Sequence, residues 1–288
     1  LRPAAAPDPL GREIPARSAL LENGRIAVIE TAAASGLTLL KSEELNPLIA
    51  SSVGTGELMQ DAVKQGVQEI WTGLGGTAVM DCGIGLLKAL APLPGHVRIH
   101  AFYDADVPLT GPSGAPAVFG LQKGADAQGV IELERRFRKQ AEAWKREYVI
   151  DPDRVPGAGA AGGIGAALAI CLGARMHAGI EAVLEAVRFP EHVRECGLVI
   201  TGEGKADRQT LTGKVPFGVL QATRLHAPGI PVILLAGKVE DREELLAAGF
   251  DAVIQVTPEE SLTSNCMEKS IARENIRRSV QNLPYFRN

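Results

Sequence analysis

From residue 197 to the end of the chain, short apolar runs alternate regularly with amphipathic segments. This periodicity predicts strands at residues 198–201, 232–236 and 252–256, and helices at residues 216–225, 242–248 and 265–283. Alternation of this kind is typical of a parallel, doubly wound sheet. Because three strands make a thin sheet, we expect further strands of this sheet to come from elsewhere.

The first part of the chain has a second strand–helix pattern. It predicts strands at Ile26–Glu30 and at residues 67–74 and 97–103, a helix at residues 54–63 that Thr55 caps, and a helix at residues 83–90. A long amphipathic helix is predicted at Ala127–Tyr148, and two further helices start in residues 156–163 and at residues 180–187. The sequence therefore predicts an α/β protein throughout.

Composition limits the classes of function. The 288 residues include 45% apolar and 22% charged residues, enough for one large or two ordinary globular domains. The net charge of -4 and the scattered basic residues argue against a nucleic acid or an anionic membrane as partner. The four cysteines form no C-x-x-C pair, which is typical of reduced thiols in a cytoplasmic protein. A homo-oligomer is left open.

The strongest local signal follows the strand at residues 198–201. Glu203, Asp207, Gln209 and Lys214 bring two carboxylates, an amide and an ammonium group into one loop, together with Gly204. Magnesium-nucleotide chemistry needs such groups for charge neutralisation and positioning. The loop lacks the glycine spacing of a Walker A motif. The alternative is a surface loop of solvated ion pairs.

A second polar loop follows the strand at residues 67–74. Gly75, Gly76 and Thr77 precede Asp81, so backbone amides at this turn are placed to bind a phosphate or a carboxylate. The alternative is a tight turn in which Asp81 caps the next helix. Asp104 ends the following strand, where a carboxylate can hold Mg²⁺ or take a proton from a hydroxyl group. Its alternative is a turn before a proline.

Two more segments carry candidate site residues. Lys123, next to Gln122, offers a cation for a phosphate, and the alternative is a solvated lysine. Gly157, Gly159 and Gly162 have the spacing of a dinucleotide fingerprint, but no apolar strand precedes them, so we reject an NAD site. A loop close to substrate and simple close packing of glycine backbone both remain open.

Read together, these segments resemble the first type of bacterial glycerate kinases. The resemblance spans about residues 9–280 and rests on motifs that occur in the same order: AASGL (33–37), NPL (46–48), GTGEL (54–58), GGTA (75–78), PLTG (108–111), FGLQKG (119–124), PGAGAAGG (156–163) and TGEG (201–204). So many ordered motifs are far more specific than one glycine-rich loop.

The resemblance implies ATP-dependent phosphorylation of D-glycerate, usually to 2-phosphoglycerate, with Mg²⁺. It also implies two α/β domains, a flavodoxin-like parallel doubly wound domain interrupted by a large inserted α/β domain. On this basis residues 1–181 are the inserted, substrate-side domain, and residues 182–288 are the second half of the flavodoxin-like domain. We expect the cleft between the domains to close over MgATP and glycerate and to exclude water.

The resemblance also suggests roles for individual residues. Asp81, Asp104 and Asp207 are predicted to be catalytic, with Asp81 or Asp104 orienting or deprotonating the glycerate hydroxyl, and Glu203 and Asp207 are predicted to act near Mg²⁺. The predicted substrate- or nucleotide-binding residues are Thr55, Gly75, Gly76, Thr77, Gln122, Lys123, Gly157, Gly159, Gly162, Glu203, Gly204, Gln209 and Lys214.

The sequence departs from the family pattern in three places. It has no counterpart of the family's first segment, with its strand end similar to APDSFK and its GGEG loop; it is shorter between Leu90 and His96; and it has VMDCG at residues 79–83 where the family shows TNDGG. We expect the last change to alter glycerate affinity or specificity. Two alternatives follow: a non-catalytic binder of small anions or nucleotides, and a kinase for another small hydroxy acid.

Overall fold

The computed structural model describes residues 1–90, 92–259 and 268–283. The chain forms two compact units, Leu1–Gly179 and Ile180–Asn288. We refer to them as unit 1 and unit 2. Parallel strands and helices make up both units, so the predicted α/β class is confirmed. The assignment of residues 1–181 as an inserted domain and 182–288 as half of a flavodoxin-like domain stays a prediction.

Unit 1 contains a six-stranded sheet in the order β1-β2-β3-β4-β5-β6. Its strands are β1 (Arg2–Pro7), β2 (Glu13–Leu21), β3 (Ile26–Glu30), β4 (Glu69–Leu74), β5 (Arg98–Tyr103) and β6 (Arg175–Ala178). Strands β3 to β6 are parallel, whereas β1 and β2 form an antiparallel hairpin beside β3. The carboxyl ends of β3 to β6 therefore meet at one edge, where ligands bind in open α/β sheets.

Helices pack on the sheet of unit 1. They are α1 (Ala32–Ser35), α2 (Val53–Lys64), α3 (Ile84–Ala89), α4 (Ala115–Phe119), α5 (Ala127–Tyr148) and α6 (Ala160–Ala166). The core joins strand residues Ile29 and Ile70 to Leu58 and Met59 of α2 and to Ile164 of α6, all of them buried. Burial of each such side chain stabilises the fold by about 1.5–3 kcal/mol.

Unit 2 contains a three-stranded parallel sheet in the order β7-β8-β9. Its elements are β7 (Val199–Ala206), β8 (Val232–Val239), β9 (Ala252–Gln255), α7 (Gly179–Ala186), α8 (Phe189–Val193), α9 (Val215–His226), α10 (Arg242–Ala247) and α11 (Lys269–Gln281). Leu220 of α9 packs on the buried face of Val232 and Leu234, while Val280 of α11 packs near Ile233 on the other face. The predicted alternation of strand and helix is confirmed here.

Two local predictions were wrong, and one pair of strands was missed. The predicted loop after residue 201 is strand as far as Ala206, because Glu203 and Lys205 pair in register with β8 and this backbone ladder overrides the glycines and charges of the sequence. Thr55 is not a helix cap, since α2 begins at Val53 and the buried Thr55 hydroxyl bonds to Ser35. The hairpin of β1 and β2 was not predicted.

Two predictions involve residues outside the described part of the chain. The helix predicted at residues 265–283 includes residues 265–267, which lie outside it, and α11 is described from Lys269. The shortening predicted between Leu90 and His96 involves Ala91, which also lies outside it. Among the described residues, no helix is both long enough and apolar enough to cross a membrane.

Candidate functional site

A loop at the carboxyl end of β4 is the most ordered candidate site in unit 1. We call residues 75–79 the glycine loop. The Ala78 amide donates to Ser35 O at 2.8 Å, and the Leu37 amide donates to Gly76 O at 2.8 Å. Thr31 adds a hydrogen bond from its hydroxyl to Gly73 O at 2.9 Å. The segment that follows β3 therefore fixes the glycine loop from one side.

The glycine loop presents free backbone donors. In the described part of the chain, the amides of Gly75, Gly76 and Thr77 donate to no protein acceptor. Gly76 is exposed and has a φ of 64°, which glycine adopts without strain. A Cβ placed on Gly75 would lie 4.0 Å from Oδ1 of Asp104, so this carboxylate flanks the loop. Successive unpaired amides of this kind form a site suited to an anion.

Lys123 lies behind the glycine loop. Its side chain reaches in from a 3₁₀ turn at Leu121–Lys123, and the residue is only 5% exposed. Nζ donates to Thr77 Oγ1 at 3.1 Å and to Val79 O at 2.9 Å, and it lies 5.9 Å from the centroid of the Phe119 ring. Burial lowers the pKa of Lys123 to about 7, against the opposing effect of the Asp81 charge. A contact between Lys123 and phosphate stays a prediction.

The two candidate carboxylates of unit 1 differ sharply in their partners. Oδ2 of Asp81 accepts hydrogen bonds from the Ser52 amide at 2.9 Å, from the Ser52 hydroxyl at 2.8 Å and from the Gly85 amide at 3.1 Å. Oδ1 of Asp81 accepts from the Gly83 amide at 3.0 Å. Asp104 is exposed, and among the described residues no donor reaches its carboxylate. Asp81 therefore ties together the starts of α2 and α3, whereas Asp104 is free for a ligand.

A cavity of about 280 Å³ lies beside Asp81. Met80 and Cys82, two of the positions that depart from the family pattern, line it together with Asp81 and Arg136. Arg136 is held by Glu132, whose carboxylate accepts from Nε at 2.7 Å. Because Met80 and Cys82 replace the polar and small residues of the family motif, the cavity wall is more apolar than that motif implies. Burial raises the pKa of the Cys82 thiol.

The glycines predicted near substrate pack closely against protein backbone. A Cβ on Gly159 or Gly162 would lie 2.5 or 2.0 Å from a backbone carbonyl oxygen. The acceptor facing Gly162 belongs to Val79 of the glycine loop. The Gly157 amide donates to Asp106 Oδ1 at 2.8 Å. Close packing alone accounts for these glycines, and their contact with substrate stays a prediction.

Two remaining candidates of unit 1 lie at opposite extremes of exposure. Thr55 is fully buried, and its hydroxyl lies 2.7 Å from Ser35 Oγ. It therefore supports the segment on which the glycine loop rests. Gln122 is exposed next to the buried Lys123. Ligand contacts of Thr55 and Gln122 stay predictions.

In unit 2, the carboxyl end of β7 brings Glu203 and Asp207 to one buried hydroxyl group. Thr210 Oγ1 donates to Glu203 Oε1 at 2.5 Å and accepts from the Asp207 amide at 3.1 Å. Nζ of Lys214 lies 3.9 Å from Glu203 Oε2. This arrangement orients the Glu203 carboxylate. Among the described residues, the partner of its Oε2 is the more distant Lys214 ammonium group.

Asp207 has a local structural task as well. Its Oδ1 accepts from the Gln209 amide at 2.9 Å and its Oδ2 lies 3.2 Å from Lys205 Nζ. The same ammonium contacts Glu240 at 2.9 Å. The Gln209 side chain and Gly204 are exposed at this end of the strand. The predicted residues of this loop are therefore brought together, although their ligands are untested.

A cavity of about 690 Å³ adjoins Glu203 in unit 2. It lies between residues 200–204 of β7, the carboxyl half of β8 and one face of α11. It is lined by Ile200, Thr201, Gly202, Glu203, Gly204, Leu235, Ala236, Gly237, Lys238, Val256, Thr257, Ala272 and Ile276. A mostly apolar wall with a few polar groups and this volume are typical of small-molecule sites.

Comparison with known proteins identifies the family. The sequence profile described as "Glycerate kinase family" matches residues 1–94 and 90–286, so it covers both units. The chain belongs to the glycerate kinase family. Its members are phosphotransferases with an alcohol group as acceptor, and the recognition made from the motifs is confirmed. The two matched segments overlap at residues 90–94, and the shortening expected next to them stays a prediction.

Individual relatives agree with the family assignment. The chain is 38% identical over 279 residues to the glycerate 2-kinase of Escherichia coli K12, a match covering 86% of this chain and 73% of that protein. It is 36% identical over 306 residues to the glycerate kinase of Bacillus cereus, covering 96% and 79%. The crystal structure of a protein assigned as glycerate kinase 2 from Salmonella typhimurium LT2 superposes with a TM-score of 0.71 at 34% identity, covering 98% of this chain and 80% of that one.

The donor set of unit 2 suits a magnesium ion that is shared with a phosphate. Among the described residues, no group of three or more His, Cys, Asp or Glu side chains is placed to hold a metal alone. Mg²⁺ in nucleotide sites is usually held by one or two carboxylates together with phosphate oxygens. Glu203 and Asp207 provide hard oxygen donors of this type, and Oε2 of Glu203 lies 3.9 Å from the Lys214 ammonium group.

Sequence reasoning missed Ser52 and Thr210. Ser52 is fully buried and supplies two of the donors to Asp81, while its hydroxyl also accepts from the Leu86 amide at 2.9 Å. Thr210 is fully buried between two candidate carboxylates. The only available signal for Thr210 was its position in the polar stretch between Asp207 and Lys214, which does not distinguish it from the exposed Thr212.

Proposed function

We propose that this chain transfers the γ-phosphoryl group of ATP to the 2-hydroxyl of D-glycerate and so forms 2-phosphoglycerate and ADP. The family match across both units carries the proposal. The hydroxyl oxygen forms a bond to the γ-phosphorus, the bond from that phosphorus to the β–γ bridging oxygen breaks, and the hydroxyl proton passes to a carboxylate. Positioning and charge neutralisation supply most of the rate enhancement in such transfers.

Unit 1 is proposed to bind glycerate. The free amides of Gly75, Gly76 and Thr77 are suited to the glycerate carboxylate. Asp104 flanks this loop, and no donor from the described residues pairs with its carboxylate, so we assign it as the group that takes the hydroxyl proton. The hydrogen bonds that Asp81 accepts support a positioning role for that residue instead.

Unit 2 is proposed to bind MgATP. Glu203 and Asp207 would hold Mg²⁺, which neutralises charge on the phosphates when it is bound. Thr210 keeps the Glu203 carboxylate oriented, and Lys214 is placed to contact a phosphate. The cavity of about 690 Å³ beside Glu203 supports placing the nucleoside part of ATP there.

The test measures release of ADP from MgATP by the purified chain with D-glycerate, with L-lactate and glycerol as controls. We expect turnover with D-glycerate only. The ³¹P signal of the product, recorded with proton coupling, should be a doublet, since a phosphate on the 2-oxygen couples to a single proton. A triplet would instead identify the 3-phosphate. Binding of D-glycerate or MgATP without turnover would contradict the proposed activity and favour a non-catalytic binder.

A further inference from the structure

Lys123 is the most deeply buried charged group that contacts the glycine loop. Its Nζ bridges two points of the loop, Thr77 Oγ1 at 3.1 Å and Val79 O at 2.9 Å. The segment that carries it, the 3₁₀ turn after α4, lies far from the loop in sequence. The bridge therefore couples the position of the loop to a second part of unit 1.

The surroundings of Nζ match a neutral amine as well as an ammonium group. The described residues offer Nζ two hydrogen-bond acceptors, which satisfy both N–H groups of a neutral amine but leave one N–H of an ammonium group without a partner. No carboxylate forms an ion pair with it among the described residues, and Phe119 presents an aromatic ring at 5.9 Å. A change in protonation therefore changes the bonding that Nζ can give to the loop.

Few charges act on this group. Asp81 is the charged residue whose field reaches Lys123, and Asp81 is itself fixed by the Ser52 side chain and by backbone amides. Among the described residues, Nζ contacts Thr77 and Val79 of the glycine loop and the Phe119 ring of α4, none of which is titratable. With a pKa of about 7, both protonation states of Lys123 are accessible near neutral pH.

We propose that Lys123 is a positioning residue for the glycine loop, and that protonation of its Nζ changes the conformation of the loop. The consequence for ligands rests on the proposed function: an anion on the loop amides favours the protonated amine, so binding of glycerate takes up a proton. The ammonium group then holds Thr77 and Val79 more firmly, because hydrogen bonds from a charged donor are stronger.

The first experiment needs no ligand. Amide chemical shifts of Gly76 and Thr77 are followed by NMR from pH 5.5 to 9 together with the ¹³Cε shift of Lys123. We expect these three chemical shifts to titrate with one midpoint near 7 in the wild-type protein. The same result is expected for the control variant Lys139→Met, which replaces an exposed lysine on α5. In Lys123→Met the loop amides should not titrate. Loop amides that stay constant while Lys123 titrates would overturn the proposal.

The second experiment measures proton uptake. Calorimetric titration with sodium D-glycerate in HEPES and in Tris gives the number of protons bound, because the two buffers differ in heat of ionisation. We expect uptake of a fraction of a proton at pH 7, a larger uptake at pH 8, and none in Lys123→Met. Glycerate binding without uptake would refute the coupling. Absence of any binding would count against the glycerate proposal instead, and the NMR titration would still decide the role of Lys123.

Discussion

Replacing Asp81 and Asp104 by asparagine should separate a stabilising carboxylate from a reacting one. In Asp81→Asn, one oxygen can keep the bonds from Ser52 and Gly85, but the new NH₂ group then faces the Gly83 amide, donor against donor. The lost charge-assisted bond and the unsatisfied amide cost about 1.5–3 kcal/mol of unfolding free energy. Asp104→Asn removes no hydrogen bond from the described residues, so its cost should stay below about 0.5 kcal/mol.

Tryptophan fluorescence in urea measures these costs for unit 1 alone, because both tryptophans of the chain, Trp71 and Trp144, lie in that unit. With a slope of about 2 kcal/mol per molar urea, a loss of about 2 kcal/mol lowers the unfolding midpoint by about 1 M. We expect this shift for Asp81→Asn and no shift for Asp104→Asn.

Turnover should show the opposite order. Loss of a general base lowers kcat by about 10²–10⁴-fold, so Asp104→Asn should have a normal midpoint and a strongly reduced kcat. The refolded Asp81→Asn protein, assayed well below its midpoint, should keep much more of its activity than Asp104→Asn. An unshifted midpoint for Asp81→Asn, or normal turnover by Asp104→Asn, would refute the division of roles.

Three further outcomes follow from individual contacts. Gly162→Ala should lower the unfolding free energy by about 3–5 kcal/mol, because the new Cβ would lie 2.0 Å from a backbone carbonyl oxygen. Gly173 has a similar φ but open space around it, so Gly173→Ala should lower the unfolding free energy by only about 1–2 kcal/mol. Equal urea midpoints for the two variants would contradict this prediction. Burial raises the pKa of Asp8, but hydrogen bonds from Arg12 and from backbone amides outweigh it and lower the pKa overall, so Asp8→Asn should be less stable than wild type at pH 7. Acid titration should show this difference shrinking below about pH 4, the ordinary pKa, and disappearing only below the lowered pKa of the folded protein. Thr210→Val should reduce kcat about 10-fold or more, because it removes the hydroxyl that orients the Glu203 carboxylate of the proposed magnesium site. Thr210→Ser keeps the hydroxyl, so its kcat should stay within about 3-fold of wild type in a steady-state assay. Equal kcat values for the valine and serine variants would exclude an orienting role for Thr210.

The elements that sequence patterns predicted well are those whose apolar spacing is regular. Helix α5 has its predicted bounds, Ala127–Tyr148, because Leu133, Phe137, Ala141 and Trp144 recur at helical spacing and are buried. Asp126 caps this helix by accepting from the Gly129 amide at 2.7 Å. Local information is sufficient for such an element.

The hairpin of β1 and β2 shows where local information fails. Its first strand has the sequence RPAAAP, in which alanine and proline have low strand propensity. Its backbone pairs with β2 along its whole length, and Ala6 packs in the core of unit 1. Contacts that are distant in sequence therefore define this strand, and no pattern within it predicts them.

The candidate site shows the same limit at the level of single side chains. Sequence reasoning proposed the same role for Asp81 and Asp104, although Asp81 lies between β4 and α3 and Asp104 directly follows β5. What distinguishes them is the Ser52 hydroxyl, which lies about 30 residues before Asp81 in the sequence. This hydroxyl reaches the Asp81 carboxylate only when α2 packs beside α3. An aspartate whose lone pairs are filled by the fold contributes stability, and one whose lone pairs are open remains available to a substrate hydroxyl. The chemical type is identical at both positions, so the three-dimensional arrangement of donors is what distinguishes their roles.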